Sequence, residues 1–270
     1  MDSIRPAAVA GQFYPANSQH LSAMIEEMLA AAPSAEHEAG PPKAIITPHA
    51  GYIYSGPFAA AIYARLRPWR ERIKRVALFG PAHREYVEGM AVPSADYFAT
   101  PLGKVAIDHR TLAALADGST VVVDDRVHAY EHALEVQLPF LQTVLDEFTL
   151  LPIAVGGASA RKTAAVMAAL WGGAETLIVV SSDLSHYLPA SVARRRDGDT
   201  AGHILRLAPD LDGHDACGAT PINALLQLAK RHHLHASQIA LGNSGDTAGD
   251  SDRVVGYGAF AFSEETTHAQ

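Results

Sequence analysis

Cys217 is the sole cysteine in 270 residues, so no intramolecular disulfide can form. A chain that dispenses with disulfides suits a reducing compartment. Long apolar runs are missing as well. The longest aliphatic stretches, such as Leu177 to Val180, fall far short of the roughly 20 residues that a membrane-crossing helix needs. The opening segment, Met1 to Pro15, carries Asp2 and Arg5 and has no apolar stretch of signal-peptide length. These absences set a cytoplasmic location, with no membrane partner, as the expectation. Basic charge is in the minority: 21 Lys and Arg stand against 29 Asp and Glu, for a formal net charge of −8. An acidic chain gives no electrostatic footprint for nucleic acid, and the cluster Arg194-Arg195-Arg196 reads as a solvated helix face. No Gly-x-Ser-x-Gly elbow occurs, which disfavours a hydrolase of that type. With no repeat of solenoid period and no dividing linker, residues 1–270 are expected to form a single domain.

What is present is an ordinary globular composition, 48% hydrophobic and 19% charged, long enough to bury one large core. A first amphipathic helix is expected from Ser18 as N-cap, with Leu21, Met24, Ile25 and Met28 on one face, followed by a polar loop from Ala32 to Pro42. Short apolar runs then alternate with helical stretches. Lys43 to Thr47, Arg75 to Phe79, Val121 to Val123, Leu150 to Val155 and Thr176 to Ser181 read as strands. Helices are expected from Ser55 through Leu66, from about Leu134 to Phe148 with Pro139 forcing a kink or a delayed start, after Ser159, and from Thr220-Pro221. Gln238 to Leu241 and Val254 to Phe262 read as late strands. Alternating strands and helices imply a sheet covered on both faces. The expected fold class is α/β: a three-layer α/β/α sandwich around a mixed, largely parallel sheet.

Ligands of open α/β sheets collect outside the carboxyl ends of the strands, so the residues that follow each strand carry the functional signal. Thr47 leads into Pro48-His49, Phe79 into Gly80-Pro81-Ala82-His83, and Val180 into Ser181-Ser182-Asp183-Leu184-Ser185-His186. If these strands run parallel, His49, His83 and His186 share one rim. Cys217 precedes the helix begun at Thr220-Pro221, where a helix N-terminus and a nearby cation would both favour its thiolate. Two imidazoles and a thiolate suit a borderline or soft transition metal, and three protein ligands leave a position open. Asp183 and His186 form a candidate orienting-acid and general-base pair, and His132 would face the same pocket. Glu131 reads as an acid in the first turn of a helix. His20, His37, His109, His128, His203, His214, His232, His233, His235 and His268 read as ordinary surface or core histidines. Gly156-Gly157-Ala158-Ser159 reads as a plain strand-to-helix turn, and Gly242 to Asp250 as a solvated connector.

With these residues in view, the chain resembles the Memo-like family, whose bacterial members are called AmmeMemoRadiSam system protein B. The resemblance rests on Arg5-Pro6-Ala7 through Phe13-Tyr14-Pro15, Thr47-Pro48-His49-Ala50-Gly51-Tyr52 through Ser55-Gly56, and Gly80-Pro81-Ala82-His83. It continues through Glu131-His132-Ala133-Leu134-Glu135-Val136-Gln137-Leu138-Pro139-Phe140, Ser181 to Tyr187, Cys217-Gly218 before Pro221-Ile222, and Val254-Val255-Gly256-Tyr257. It implies a fold similar to class III extradiol dioxygenases, which use non-haem iron(II), and a metal pocket of His49, His83 and Cys217. It also places Asp183, His186 and His132 in or beside that pocket. A cysteine in place of those enzymes' third, carboxylate ligand departs from the ring-cleaving pattern. The expected function is a metal-binding redox protein of dioxygenase-like architecture, an oxidoreductase holding iron(II), with copper or zinc as other occupants. Catalysis would fall to His186, Asp183 and His132. A small-molecule substrate or O2 is the expected partner, and bacterial members resemble parts of a set that includes a radical-SAM protein. A non-catalytic metal-handling or ligand-binding protein and a zinc-type hydrolase are the alternatives.

Overall fold

The computed structural model describes residues 2–33, 40–116 and 120–264. His37, His268 and the centre of the loop expected from Ala32 to Pro42 lie outside the described residues. The strands are β1 (Ile4–Arg5), β2 (Ala44–Thr47), β3 (Arg75–Pro81), β4 (Met90–Val92), β5 (Tyr97–Thr100), β6 (Gly103–Ile107), β7 (Val121–Val123), β8 (Thr149–Val155), β9 (Thr176–Ser181), β10 (His186–Leu188), β11 (Leu234–Asn243) and β12 (Val254–Glu264). The helices are α1 (Ser18–Ala31), α2 (Tyr52–Tyr63), α3 (His109–Leu115), α4 (Asp125–Ala129), α5 (Leu138–Val144), α6 (Ala160–Ala169), α7 (Ala190–Leu205) and α8 (Ala219–Arg231).

These strands form one 12-stranded sheet in the order β1-β5-β6-β8-β3-β9-β2-β12-β10, with β11 paired to β12 and with β4 bridging β7 and β8. Its centre, β6-β8-β3-β9-β2, is parallel throughout. The β2 and β9 residues are all buried, as is β3 beyond Arg75. Continuous apolar runs of this kind are what a parallel sheet covered on both faces requires. Helices α1, α2 and α5 pack together as one layer, and α6 with α8 as another. The antiparallel β12, with Phe260 and Phe262 fully buried, closes the sheet beyond β2. This is the mixed three-layer sandwich expected from the strand–helix rhythm.

Element starts differ from expectation where long-range contacts decide them. Asn17, not Ser18, caps α1: its side chain accepts from the His20 N–H at 2.9 Å. Helix α2 begins at Tyr52 rather than at Ser55, because the Tyr52 N–H finds the Phe13 carbonyl at 2.7 Å. Pro139 delays a helix rather than kinking one, with a 3-10 turn at Glu135–Gln137 leading into α5. Ser159 caps α6 as expected, accepting from the Lys162 N–H at 3.3 Å. The hairpin β5–β6 was not expected; its turn needs Gly103, held at φ +125°. Among the described residues no helix is long and apolar enough to cross a membrane.

Candidate metal centre

Strands β3, β9 and β2 lie side by side and point the same way, with Phe79 opposite Val180 and Thr47 opposite Ser181. The chain therefore leaves all three at one edge, and the histidines following β2 and β3 flank the Asp183 that follows β9.

His49 is 2% exposed. Its backbone N–H donates to Asp183 Oδ1 at 2.7 Å, and its ring Nδ1 lies 2.9 Å from Ser181 Oγ. Ser181 has one hydroxyl proton, directed to the Ala133 carbonyl at 2.6 Å, and it also accepts from Gln137 Nε2 at 2.8 Å. The Ser181 oxygen must then accept from His49, so the His49 proton resides on Nδ1 and Nε2 keeps its lone pair. Burial, with the His83 charge second, pulls the His49 pKa down to about 3. The ring is neutral, as a metal ligand must be.

His83 is fixed differently. Its backbone N–H donates to Glu131 Oε2 at 2.5 Å and its ring Nδ1 to Glu131 Oε1 at 3.0 Å, which leaves Nε2 outward. Glu131 is 1% exposed. Burial alone would raise its carboxyl, but the His83 ring and the N–H groups of Ala133 and His83 outweigh that and hold it at about 2. A carboxylate behind an imidazole fixes the tautomer and raises ligand basicity at metal sites. The reading of Glu131 as a helix first-turn acid is thereby corrected: it lies in the irregular turn between α4 and the 3-10 segment, turned inward. Sequence gave no signal for this beyond its adjacency to His132, because the pairing spans 48 residues. The His83 loop is itself pinned where the Gly157 N–H meets the Val87 carbonyl at 2.8 Å.

His132 joins both rings, stacked on His83 at 4.9 Å and edge-on to His49 at 5.4 Å between centroids. One ligand atom from each of His49, His83 and His132 lies within 4.8 Å of the others, so this group could hold a metal ion. His132 Nδ1 is 3.3 Å from Glu131 Oε1 but has no hydrogen-bond partner among the described residues. Burial, then the His49 charge, lowers the His132 pKa to about 4.

Cys217 adjoins this group through His49: its Sγ is 3.3 Å from His49 Nε2 and 3.6 Å from the Asp183 carbonyl. Gly218 allows that approach, since a Cβ there would lie 2.7 Å from the Ser182 Cβ. Without a cation, the helix N-terminus does not hold Cys217 as a thiolate. Burial, followed by the Asp183 charge, pushes the thiol up to about 12. A cation would have to displace its proton.

The Asp183–His186 pair also takes another form. Asp183 Oδ1 is engaged by the His49 N–H, and burial raises the Asp183 pKa. The His186 ring is instead oriented by its own backbone, Nδ1 donating to the Leu184 carbonyl at 2.8 Å. The remaining histidines serve elsewhere: His128 is buried against the Ala91 carbonyl, His109 and His203 face Asp96 and Asp210, and His232 stacks on Trp171. His20, His214, His233 and His235 are exposed.

A family model described as Memo-like protein matches residues 5–261. A MEMO1 family protein of Methanosarcina barkeri is 36% identical over 95% of this chain and 98% of its own length. One of Aquifex aeolicus is 36% identical over 96% and 99%, and one of Metallosphaera sedula is 34% identical over 96% and 99%.

Proposed function

This chain belongs to the Memo-like protein family, and from that premise we propose that it is a metal-dependent redox protein whose centre is made by His49, His83 and His132, with Cys217 as a further donor on the His49 side. The observation that carries this reading is the meeting of three imidazole ligand atoms within 4.8 Å from distant parts of the chain. Imidazoles with a thiolate suit iron, copper or zinc, and availability and geometry select among them. We assign iron(II), which when bound would supply one-electron chemistry toward a small-molecule substrate with O2 as co-reactant.

The protein's own groups have defined tasks in this reading. Ser181 and Glu131 hold the protons of His49 and His83 on Nδ1, which keeps each Nε2 bare. Asp183 fixes the backbone of His49. His186, with Nδ1–H tied to Leu184, has Nε2 as the atom that exchanges a proton. Cys217 gives up its thiol proton as the cation enters, so metal uptake releases protons.

Elemental analysis of protein purified without oxygen tests the assignment. Wild type should carry about one iron per chain, while His49→Ala and His83→Ala lose it and Cys217→Ser retains it more weakly. Zinc in place of iron would shift the reading to a zinc-type hydrolase. Metal-free wild type that binds neither ion on reconstitution would overturn it. Iron-loaded protein that consumes no O2 with catechol-like or thiol substrates would leave metal handling in place of turnover.

A further inference from the structure

His49 and His83 each have a ring hydrogen bond that fixes their orientation, but His132 has none among the described residues. Its Nδ1 lies 3.3 Å from Glu131 Oε1 without forming a hydrogen bond, so packing must complete what that contact leaves open. The turn that carries it, from His128 to Glu135, is gripped from the N-terminal segment. Arg5, 6% exposed, donates Nε to the His128 carbonyl at 2.9 Å and Nη2 to the Glu131 carbonyl at 2.7 Å, while Nη1 pairs with the Glu135 carboxylate. The guanidinium also lies over the Phe98 ring, 5.0 Å from its centroid. Glu135, fully buried, accepts further bonds from the Ala8 N–H at 2.7 Å, the Val9 N–H at 3.0 Å and the Tyr14 hydroxyl at 2.5 Å. Between these anchors, the Phe13 ring packs directly on His132, 4.7 Å between centroids.

We infer that the segment Arg5–Tyr14 is the positioning element of His132: Arg5 fixes both ends of the turn, and Phe13 presses the unbonded imidazole against His83 and His49. The inference rests on the metal-centre reading and adds to it that the centre is complete only while this segment is docked. A strap that served stability alone would need the Arg5–Glu135 pair but no aromatic face on His132. Arg5 is a fork with fixed geometry, and lysine keeps its charge but cannot reach both carbonyls and the carboxylate together.

The test uses the full chain with cobalt(II) as probe metal, titrated by visible absorption well below each variant's unfolding temperature. Arg5→Lys and Phe13→Leu, shown to be folded by circular dichroism, should bind cobalt about tenfold or more weakly, as loss of outer partners does at other sites. In a His132→Ala background Phe13→Leu should cause no further loss, whereas Arg5→Lys keeps the part of its effect that passes through Glu131 to His83. A readout independent of metal is the carbethoxylation rate of His132 by diethyl pyrocarbonate in the metal-free protein, followed by peptide mass; it should rise in both variants. Folded variants with wild-type cobalt affinity and wild-type His132 reactivity would overturn the inference. If Arg5→Lys fails to fold, Phe13→Leu decides alone. Wild type that binds no cobalt would count against the metal centre, while His132 reactivity would still decide the positioning.

Discussion

His49 and His83 are each directed by the oxygen behind the ring, and a single hydroxyl or carboxylate decides which nitrogen stays bare. Removing the Ser181 hydroxyl leaves the His49 ring without its Nδ1 partner, so Ser181→Ala should weaken metal binding by about tenfold or more, measured by competition with a chelator. His186 is tied to a backbone carbonyl and not to Glu131 or Ser181. His186→Ala should therefore keep its metal while turnover falls by roughly a hundred- to ten-thousand-fold; equal loss of metal would refute the separation of roles. At this scale His49, His83 and Cys217 were legible because each follows or precedes an element whose end the sequence marks. The partners were not. Glu131 reaches His83 only after a turn folds back across 48 residues, and Asp183 serves His49, at a separation of 134, rather than its neighbour His186.

At the scale of elements, the loops that bear ligands are held by close backbone approach. A Cβ on Gly156 would lie 2.1 Å from the Val87 carbonyl, within the loop that follows His83. Gly156→Ala must displace that loop. It should cost about 1–3 kcal/mol of stability, read by denaturant unfolding, and should weaken metal binding in the same protein. A neutral result would mean that the His83 loop is not pinned there. The buried strands β2, β3, β8 and β9 were readable because short, largely apolar runs allow little else between two helical layers. The β5–β6 hairpin escaped notice because Pro101-Leu102 lacks the usual Asn-Gly or Asp-Gly turn signal. Helix α7 declared itself only through its arginines. Apart from Ile204 its buried stripe is small or polar, with Ala190, Ala193, Asp197, Thr200 and Ala201, and gives little helical contrast.

For the molecule as a whole, buried neutral histidines set the response to acid. His49 titrates at about 3, and His128 and His132 at about 4, each depressed chiefly by burial. In the unfolded chain these rings take up protons near 6.5, so below about 6.5 they make stability fall as pH falls, while the buried carboxyls of Asp183 and Asp197, whose pKa burial raises, work the other way. Glu131 acts in the same direction as the rings further down: its folded pKa of about 2 lies below the ordinary 4.5, so its contribution is present above 4.5 and is lost as pH drops toward 2. Urea unfolding from pH 7.5 to 4.5 should show a declining midpoint, steepest below 6.5; a flat profile would mean that the rings do not outweigh those two carboxyls. Saturating metal should raise the whole curve, by about 4 kcal/mol at a thousandfold excess over Kd.

The Ser181 hydroxyl touches His49, Gln137 and the Ala133 carbonyl at once. Were the Ala133 carbonyl not there to take the serine proton, the hydroxyl could donate to His49 instead and leave the ring's proton on Nε2, the nitrogen facing Cys217. A main-chain oxygen that never approaches the cation thus decides which lone pair the ring offers it.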